Sequence, residues 1–237
     1  MNMAVLKRLM STVLLAGVIA GLLLTAVQRV QVTSIILQAE VYEEAAAKAE
    51  ALQPHDQTMA AHDHHDHEHD EGWEPANGAE RISWTVIANI VMAVGFGLFL
   101  AAAMLLSGRN ASWRTGLLWG VAGYIVFFVA PSLGLHPEVP GTQAAPLHDR
   151  QLWWVMTAAA TAGGLACIVF GKNLVIKIVG VVMLVVPHLI GAPHLAVEHS
   201  AAPEELAQAF IVATAIANAI FWLVLGGLTG FFYRKFG

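Results

Sequence analysis

The sequence predicts an all-α integral membrane protein: a bundle of about six transmembrane helices with a long histidine-rich outer loop after helix one. Two observations lead to this prediction. Of the 237 residues, 57% are hydrophobic and 12% are charged, whereas soluble domains carry roughly 25% charged residues. The hydrophobic residues also form uninterrupted blocks, and a helix that spans a membrane needs about 20 of them in succession.

Six apolar blocks approach that length, at approximately 9–27, 84–106, 115–133, 152–170, 174–190 and 208–231. The first block follows Lys7 and Arg8 and is not followed by a cleavage site, which predicts an uncleaved first helix instead of a secretion signal. The fifth block is the shortest, because Lys177 and Pro187 limit it.

The stretch after the first block divides into two parts. Residues 28–52 contain neither glycine nor proline, which predicts that the first helix continues out of the membrane until Pro54 ends it. Residues 55–80 are polar and low in complexity, as flexible loops are. The predicted organisation is a first helix with an outer extension (1–54), a flexible His/Asp-rich outer loop (55–80) and the remaining five helices (81–237).

The basic residues predict the orientation, since lysine and arginine concentrate in cytoplasmic loops. With the amino terminus inside, the inner segments hold eight of the 12 cations: Lys7, Arg8, Arg109, Arg114, Lys172, Lys177, Arg234 and Lys235. All 17 acidic residues and all 11 histidines then lie on the outer side, with His188 at a membrane boundary. The sequence therefore predicts cytoplasmic termini and an acidic outer face, which would concentrate cations.

Several function classes are excluded by what the sequence lacks. A single cysteine, Cys167, excludes an intrachain disulfide and a metal site with several thiolates, so metal ligands must be nitrogen and oxygen. No basic patch exceeds two adjacent residues, so we expect no nucleic-acid partner. There is no phosphate-binding loop and no carboxylate deep within a block. We predict no enzymatic activity and no catalytic residues.

The most conspicuous motif is a tract in which five histidines alternate with carboxylates: His62, His64, His65, His67 and His69. Imidazole and carboxylate together suit divalent ions such as Co²⁺, Ni²⁺, Zn²⁺ and Cu²⁺. Because the spacing is irregular, the tract is expected to capture a metal ion without selecting one. The alternative is a solvated acidic linker.

A second candidate metal site follows the fifth block and comprises His188, His194, Glu198 and His199. Gly191 and Pro193 interrupt the helix there, and irregular backbone at membrane depth is tolerated where it lines a cavity or is buried in protein. The alternative is simple helix termination with interfacial histidines. The spacing differs from the His-Glu-x-x-His pattern of zinc proteases.

A third candidate lies in the loop 131–150, which is rich in proline and glycine and therefore predicted to be rigid. Its potential ligands are His136, Glu138, His148 and Asp149. Arg150 is expected to be an anchor or a partner of Asp149. Trp153 and Trp154 follow, and we expect them in an interfacial aromatic belt.

Small and polar residues recur inside the blocks. The glycines at 17, 21, 95, 97, 116, 120, 163 and 164 predict close packing between helices. Four polar residues are candidates to line a polar path or to bond between helices: Asn89, Thr157, Thr161 and Asn218.

The third candidate also carries a family resemblance. The order Pro-x-Leu-Gly-Leu-x-Pro-Glu-x-Pro-Gly from Pro131, followed by Pro-Leu-x-x-Arg-Gln-x-Trp-Trp from Pro146, resembles the CbtA family of proposed cobalt transporter subunits. The opening Leu-Lys-Arg-Leu from Leu6 and Pro-His-Leu-Ile-Gly-Ala-Pro from Pro187 are similar too. The resemblance implies a bacterial or archaeal inner-membrane protein linked to cobalt supply for cobalamin synthesis.

The resemblance further implies a small single-span companion, CbtB, with its own histidines. Cobalt as the cargo rests on the resemblance alone, and the ligand chemistry leaves Ni²⁺ and Zn²⁺ open. The sequence as a whole predicts transport of a divalent metal, captured by outer-face histidines and carboxylates. The alternative is a metal-binding sensor or an assembly subunit that does not itself transport. The lipid bilayer is a partner in either case.

Overall fold

The structure is a computed structural model that describes residues 3–52, 75–108, 110–195 and 200–236. In these residues the chain forms seven helices and no strand. They are α1 (Met3–Gln31), α2 (Thr33–Ala51), α3 (Ala79–Leu106), α4 (Trp113–Ser132), α5 (Leu147–Phe170), α6 (Leu174–Ile190) and α7 (Glu204–Lys235). The predicted all-helical class is confirmed.

Five of these helices, α1, α3, α4, α5 and α7, are long and apolar enough to cross a membrane. Each contains one of the predicted apolar blocks, apart from single residues at the edges. The exception is α6, which has the predicted bounds but only 17 residues. At about 1.5 Å per residue it is roughly 26 Å long, slightly less than the roughly 30 Å of a bilayer's hydrocarbon core.

Helices α1, α3, α4 and α7 form one group, which we call the framework. Its helices approach closely at glycines, as the sequence predicts, although not at Gly95, where an added Cβ would have no neighbour within 4 Å. A Cβ atom added to Gly21 of α1 would lie 2.7 Å from the Cα of Ile90 in α3. One added to Gly226 of α7 would lie 2.6 Å from the Cα of Gly120 in α4. Only glycine permits these backbones to come so close.

Helices α5 and α6 form a second, antiparallel unit, which we call the pair. Gly164 and Gly180 face each other across it, and a Cβ atom on either glycine would lie 2.7 Å from the carbonyl oxygen of the other. Among the described helices, α6 makes extensive contact with α5 alone. The only residues of α6 that are buried are Gly180 and Pro187.

A π-helical turn in α4, Ile125–Val129, joins the framework to the pair. It comes just before Pro131, which offers no backbone N–H and so interrupts the regular ladder. Phe127 lies in this turn and stacks on Trp222 of α7, with ring centroids 5.4 Å apart. On its other side it stacks on Trp154 of α5 at 6.1 Å. The sequence analysis did not predict this turn.

The two ends of the molecule differ in charge. At one end Arg8 of α1 donates hydrogen bonds to the carbonyl of Tyr233 in α7, and Gly230 packs on Ser112 before α4. We call it the basic end, because the segments that meet there carry lysine and arginine. The opposite end carries α2, the residues between α4 and α5, and those between α6 and α7. We call it the acidic end.

Candidate metal-binding face at the acidic end

Three segments distant in sequence form a cap on the acidic end: α2, residues 133–146 and residues 191–203, of which 196–199 lie outside the described residues. Ala39, Val139 and Ala202, one from each segment, pack together in a small buried cluster. The backbone N–H of Ala201 donates to the carbonyl of Gly141 at 3.2 Å. The cap therefore has a hydrophobic centre and a backbone bond of its own.

Gly141 is required by the shape of the cap. Its φ is +77°, a conformation that side chains disfavour. A Cβ atom there would also lie 3.0 Å from the Cβ of Glu43 in α2. Glycine thus permits α2 to lie directly on this turn.

Two partly buried ion pairs tie the cap to the helices below it. Arg81 at the start of α3 binds Glu40 of α2 through both carboxylate oxygens, one of them at 3.2 Å. Arg150 of α5 donates to Glu138 at 2.7 Å, and the two side chains are 28% and 24% exposed. Of the two roles expected for Arg150, an anchor or a partner of Asp149, the structure supports the first, because Arg150 ties Glu138 of the cap to α5. Because Glu138 is engaged by Arg150, its carboxylate is less available as a metal ligand.

The candidate histidines that the structure describes are spread over the acidic end. His136 and His194 are exposed. His148 is 86% exposed, and its Nδ1 lies 3.5 Å from the nearer oxygen of Asp149. His188, in the last turn of α6, is half-buried with its ring edge against Trp153, at a centroid distance of 6.1 Å.

The described residues contain no group of three or more histidine, cysteine, aspartate or glutamate side chains close enough to hold a metal ion. The tract His62, His64, His65, His67 and His69 lies outside the described residues, as do Glu198 and His199. The predicted ligands therefore remain a prediction. Within the described part, the Nδ1 of His148 and a carboxylate oxygen of Asp149 lie 3.5 Å apart.

Comparison with known proteins bears on what this face is for. Residues 6–234 match the family described as "Probable cobalt transporter subunit (CbtA)". The chain belongs to the CbtA family. No curated protein matches the chain. No solved structure matches it either.

Membership of the CbtA family, together with the long apolar helices, makes this a membrane protein of a family assigned to cobalt transport. The match extends over α1–α7 and includes the cap. The family description calls its members subunits, which implies that they act in a complex with other proteins.

The position of Trp153 contradicts the expectation that this residue lies in an interfacial aromatic belt. A belt residue faces the lipid headgroups, whereas Trp153 of this CbtA-family chain is 5% exposed. Its indole Nε1 donates to the carbonyl of Pro187 at 3.3 Å. A Cβ atom on Gly134 would collide with the indole ring. Trp153 therefore fastens α6 to α5 and to the cap, directly beneath His188.

The polar residues inside the helices fall into two kinds. Asn89 of α3 donates to Thr25 at 3.0 Å and to Gln28 at 2.7 Å, both in α1. Asn218 donates to the carbonyl of Thr214 in its own helix at 3.0 Å. These two asparagines are hydrogen-bonded structural residues. Thr157 and Thr161 of α5 differ, because their buried hydroxyls have no hydrogen-bond partner in the described residues.

Proposed function

We propose that this CbtA-family protein moves a divalent cation, cobalt in the first instance, across the cytoplasmic membrane of a bacterium or archaeon. In this proposal all six apolar helices cross the membrane, with α6 as the shortest crossing. Both termini and the basic end face the cytoplasm, and the cap with the histidine-rich tract faces outward. The cation enters at the acidic end.

The observation that carries the proposal is the separation of charge. All 17 acidic residues lie in three stretches of the sequence, 28–83, 131–151 and 191–207, against four basic residues. The described parts of these stretches adjoin one another at the acidic end. Eight cations lie in the remaining segments. An acidic surface attracts cations, and lysine and arginine mark cytoplasmic loops.

The ligands are proposed to act in two stages. The tract His62, His64, His65, His67 and His69 would capture the ion, since its many ligand sets bind without demanding one geometry. His136, His148, His188, His194, Glu198 and His199 would then hold it at the mouth of the helices. Membrane potential would favour inward movement by roughly 2.3 kcal/mol per charge per 100 mV. The resemblance favours Co²⁺, and Ni²⁺ and Zn²⁺ remain open as cargo.

A companion subunit is part of the proposal. The described residues supply at most two candidate ligands in one place, His148 and Asp149, whereas a transition-metal site needs three or four. The tract, or histidines of a CbtB-like single-span protein, would complete the coordination. The link to cobalamin synthesis comes from the family resemblance.

The same scarcity of clustered ligands supports the second candidate, a metal-binding sensor or assembly subunit that does not transport. Reconstitution into sealed vesicles separates the two. Flux of Co²⁺ carried by this chain, alone or with its companion, supports the transporter. Binding of Co²⁺ without flux supports the sensor or assembly subunit.

The ligand assignment is tested by variants measured in the same vesicles. Replacing His188, His194 and His199 together with alanine is expected to abolish uptake, because the ion loses its nitrogen ligands at the mouth. Deleting residues 55–70 is expected to weaken uptake only when metal is scarce. The matched control is Gln38→Ala with Gln143→Ala, which changes two exposed polar side chains of the cap. Unchanged uptake in the triple variant contradicts the assignment.

The orientation is tested separately. Ser34→Cys in a Cys167→Ser background places one exposed thiol on α2. A membrane-impermeant thiol reagent is expected to label it in intact cells. Labelling only after the cells are opened would place the cap in the cytoplasm, and the capture scheme would then be wrong.

A further inference from the structure

Two threonines of α5 have buried hydroxyl groups that form no hydrogen bond within the described residues. Thr157 is 0% exposed and Thr161 is 1% exposed, and neither hydroxyl has a hydrogen-bond partner in the described residues. A helical threonine ordinarily bonds a carbonyl one turn back, as Thr229 does with Leu225 at 2.7 Å. A buried hydroxyl without a partner destabilises a protein by about 1–3 kcal/mol.

The neighbours of these threonines place both of them at one interface, which we call the seam: the line along which α5 meets α6 and the π turn. Trp153 and Gly164, on either side of them along α5, contact Pro187 and Gly180 of α6. The adjacent face of α5 carries Trp154, which stacks on Phe127 of the π turn. At helical spacing, positions 157 and 161 fall between these two faces. Both hydroxyls therefore lie where α5 meets α6 and the π turn.

The seam has a metal-ligating side chain at its acidic end, where His188 lies against Trp153. Toward the basic end the two helices pack closely, and the Cβ of Cys167 lies 3.0 Å from where a Cβ on Gly180 would be. One nitrogen and two oxygens thus follow one another along the pair.

The framework offers no comparable row in the described residues. Phe96, Phe127 and Trp222 fill the space where α3, α4 and α7 meet. The other two buried hydroxyls without a partner there, Thr12 and Thr214, belong to α1 and α7. Thr12 provides a control, because it is 0% exposed, as Thr157 is, but lies in the framework.

The seam also borders the joint between the framework and the pair, where the π turn and the residues just after it meet α5, and this joint is less extensive than the α5–α6 interface. Among the described helices, α6 makes extensive contact with α5 alone. The helix ends at Gly191, whose φ is +85°, a conformation that glycine adopts without strain. Movement of α6 away from α5 leaves the framework intact.

We propose that the cation crosses the membrane along this seam, with the Thr157 and Thr161 hydroxyl oxygens as its stations between His188 and the basic end. This inference rests on the proposed transport function. During passage each hydroxyl oxygen replaces one water of the ion's hydration shell, as oxygen ligands do in channels. Backbone carbonyls of α5 and α6 supply the other oxygens. A cation on this route would be the partner that each hydroxyl lacks among the described residues.

The test is the double variant Thr157→Val with Thr161→Val in the full-length protein, which removes both hydroxyls and keeps the side-chain branching. The initial rate of Co²⁺ uptake into vesicles is expected to fall at least about tenfold, because an apolar stretch then interrupts the route. Co²⁺ binding at the acidic end, measured by equilibrium dialysis, is expected to stay within about twofold. The unfolding midpoint is expected to rise, since two unsatisfied hydroxyls are gone.

Two controls accompany it. Thr157→Ser with Thr161→Ser keeps both hydroxyls and is expected to retain uptake within about threefold. Thr12→Val removes an equally buried hydroxyl from the framework and is expected to leave uptake unchanged while raising the midpoint.

The outcomes separate the route from the function. If the unaltered protein carries Co²⁺ and the double valine variant carries it equally well, the route is wrong and the proposed function stands. If the unaltered protein carries none, alone or with its companion, the function and the route are both wrong. A double valine variant that loses uptake together with thermal stability assigns the hydroxyls a structural role and also overturns the route.

Discussion

The helices of the framework and those of the pair are packed against their neighbours in different ways. Framework helices interlock at Gly21 against α3 and at Gly120 with Gly226 between α4 and α7. Its centre buries Phe221, Trp222 and Leu225 at 2% exposure or less. In the pair, α6 buries only Gly180 and Pro187. The framework is built as a rigid body, and α6 as an element held along one face.

This difference affects the stability of the two parts, because lipid tails are as apolar as leucine and burial of apolar side chains between helices therefore adds little. If α6 crosses the membrane as proposed, its exposed side chains such as Val175 at 68% and Leu189 at 79% would gain little from leaving lipid for another helix. Association inside a membrane depends on close packing and hydrogen bonds. The framework has several such interfaces, whereas α6 has one. Variants that alter packing should therefore affect the two parts unequally.

The largest effect is expected at the glycine interlock of the framework. Gly226→Ala places a Cβ atom 2.6 Å from the Cα of Gly120, where only movement of a backbone can relieve the clash. We expect a loss of about 3 kcal/mol or more and little folded protein. Thermal unfolding in detergent measures it. The matched control is Gly95→Ala, whose Cβ has no neighbour within 4 Å.

The control variant is expected to change stability in the opposite direction. Alanine is a better helix former than glycine by about 0.5–1 kcal/mol, so Gly95→Ala is expected to be neutral or stabilising. Equal unfolding midpoints for the two variants would show that the interlock is not a rigid contact.

The next effect is expected where the two parts join. Phe127→Ala removes the ring that stacks on both Trp222 and Trp154. We expect a loss below the roughly 3–5 kcal/mol of fully buried phenylalanines, because Phe127 is only partly buried, together with faster proteolysis of the pair. Phe99→Ala is the control, because Phe99 is 66% exposed. If the two variants lose the same stability, the π turn is not the connection between the parts.

The smallest effect is expected in the cap. Glu138→Gln breaks the pair with Arg150, and with about a quarter of each side chain exposed, solvent screens the interaction in part. We expect a loss of about 1–2 kcal/mol, between the values for surface and buried pairs. A double-mutant cycle with Arg150→Gln isolates the coupling. Lys48→Ala, in a pair whose side chains are 77% and 72% exposed, is expected to cost less than about 0.5 kcal/mol. A coupling no larger than that of Lys48 with Glu44 would count against an ordered cap.

Much of the fold was predictable because its determinants are local. The apolar blocks located the helices, because a membrane span is recognised by the length of its uninterrupted apolar run. The glycines at 17, 21, 116 and 120 indicated close packing between helices. The partner of Arg150 was not predictable in this way. Asp149 is adjacent in sequence, but the turn that brings Glu138 to the guanidinium depends on how residues 133–146 pack on α2.

The candidate site was predictable only as a set of side chains that could hold a metal. The sequence identified His136, His148, His188 and His194, but not that no three ligands among the described residues lie close enough together to hold a metal ion. Trp153 was misplaced because its indole bond to Pro187 joins residues 34 positions apart. Thr157 and Thr161 were recognised as polar within a span, while their lack of partners follows from the packing of α6 and the π turn.

The cap has a consequence for the order in which the protein is made. Its three pieces come from residues 33–51, 133–146 and 191–203 of the chain. When α4 has just been synthesised, Val139 and Ala202 have not yet been added to the chain, so Ala39 has nothing to pack against. The capping cluster closes only after residue 202 has been made. Its closure therefore requires a nascent chain that already contains α1–α6.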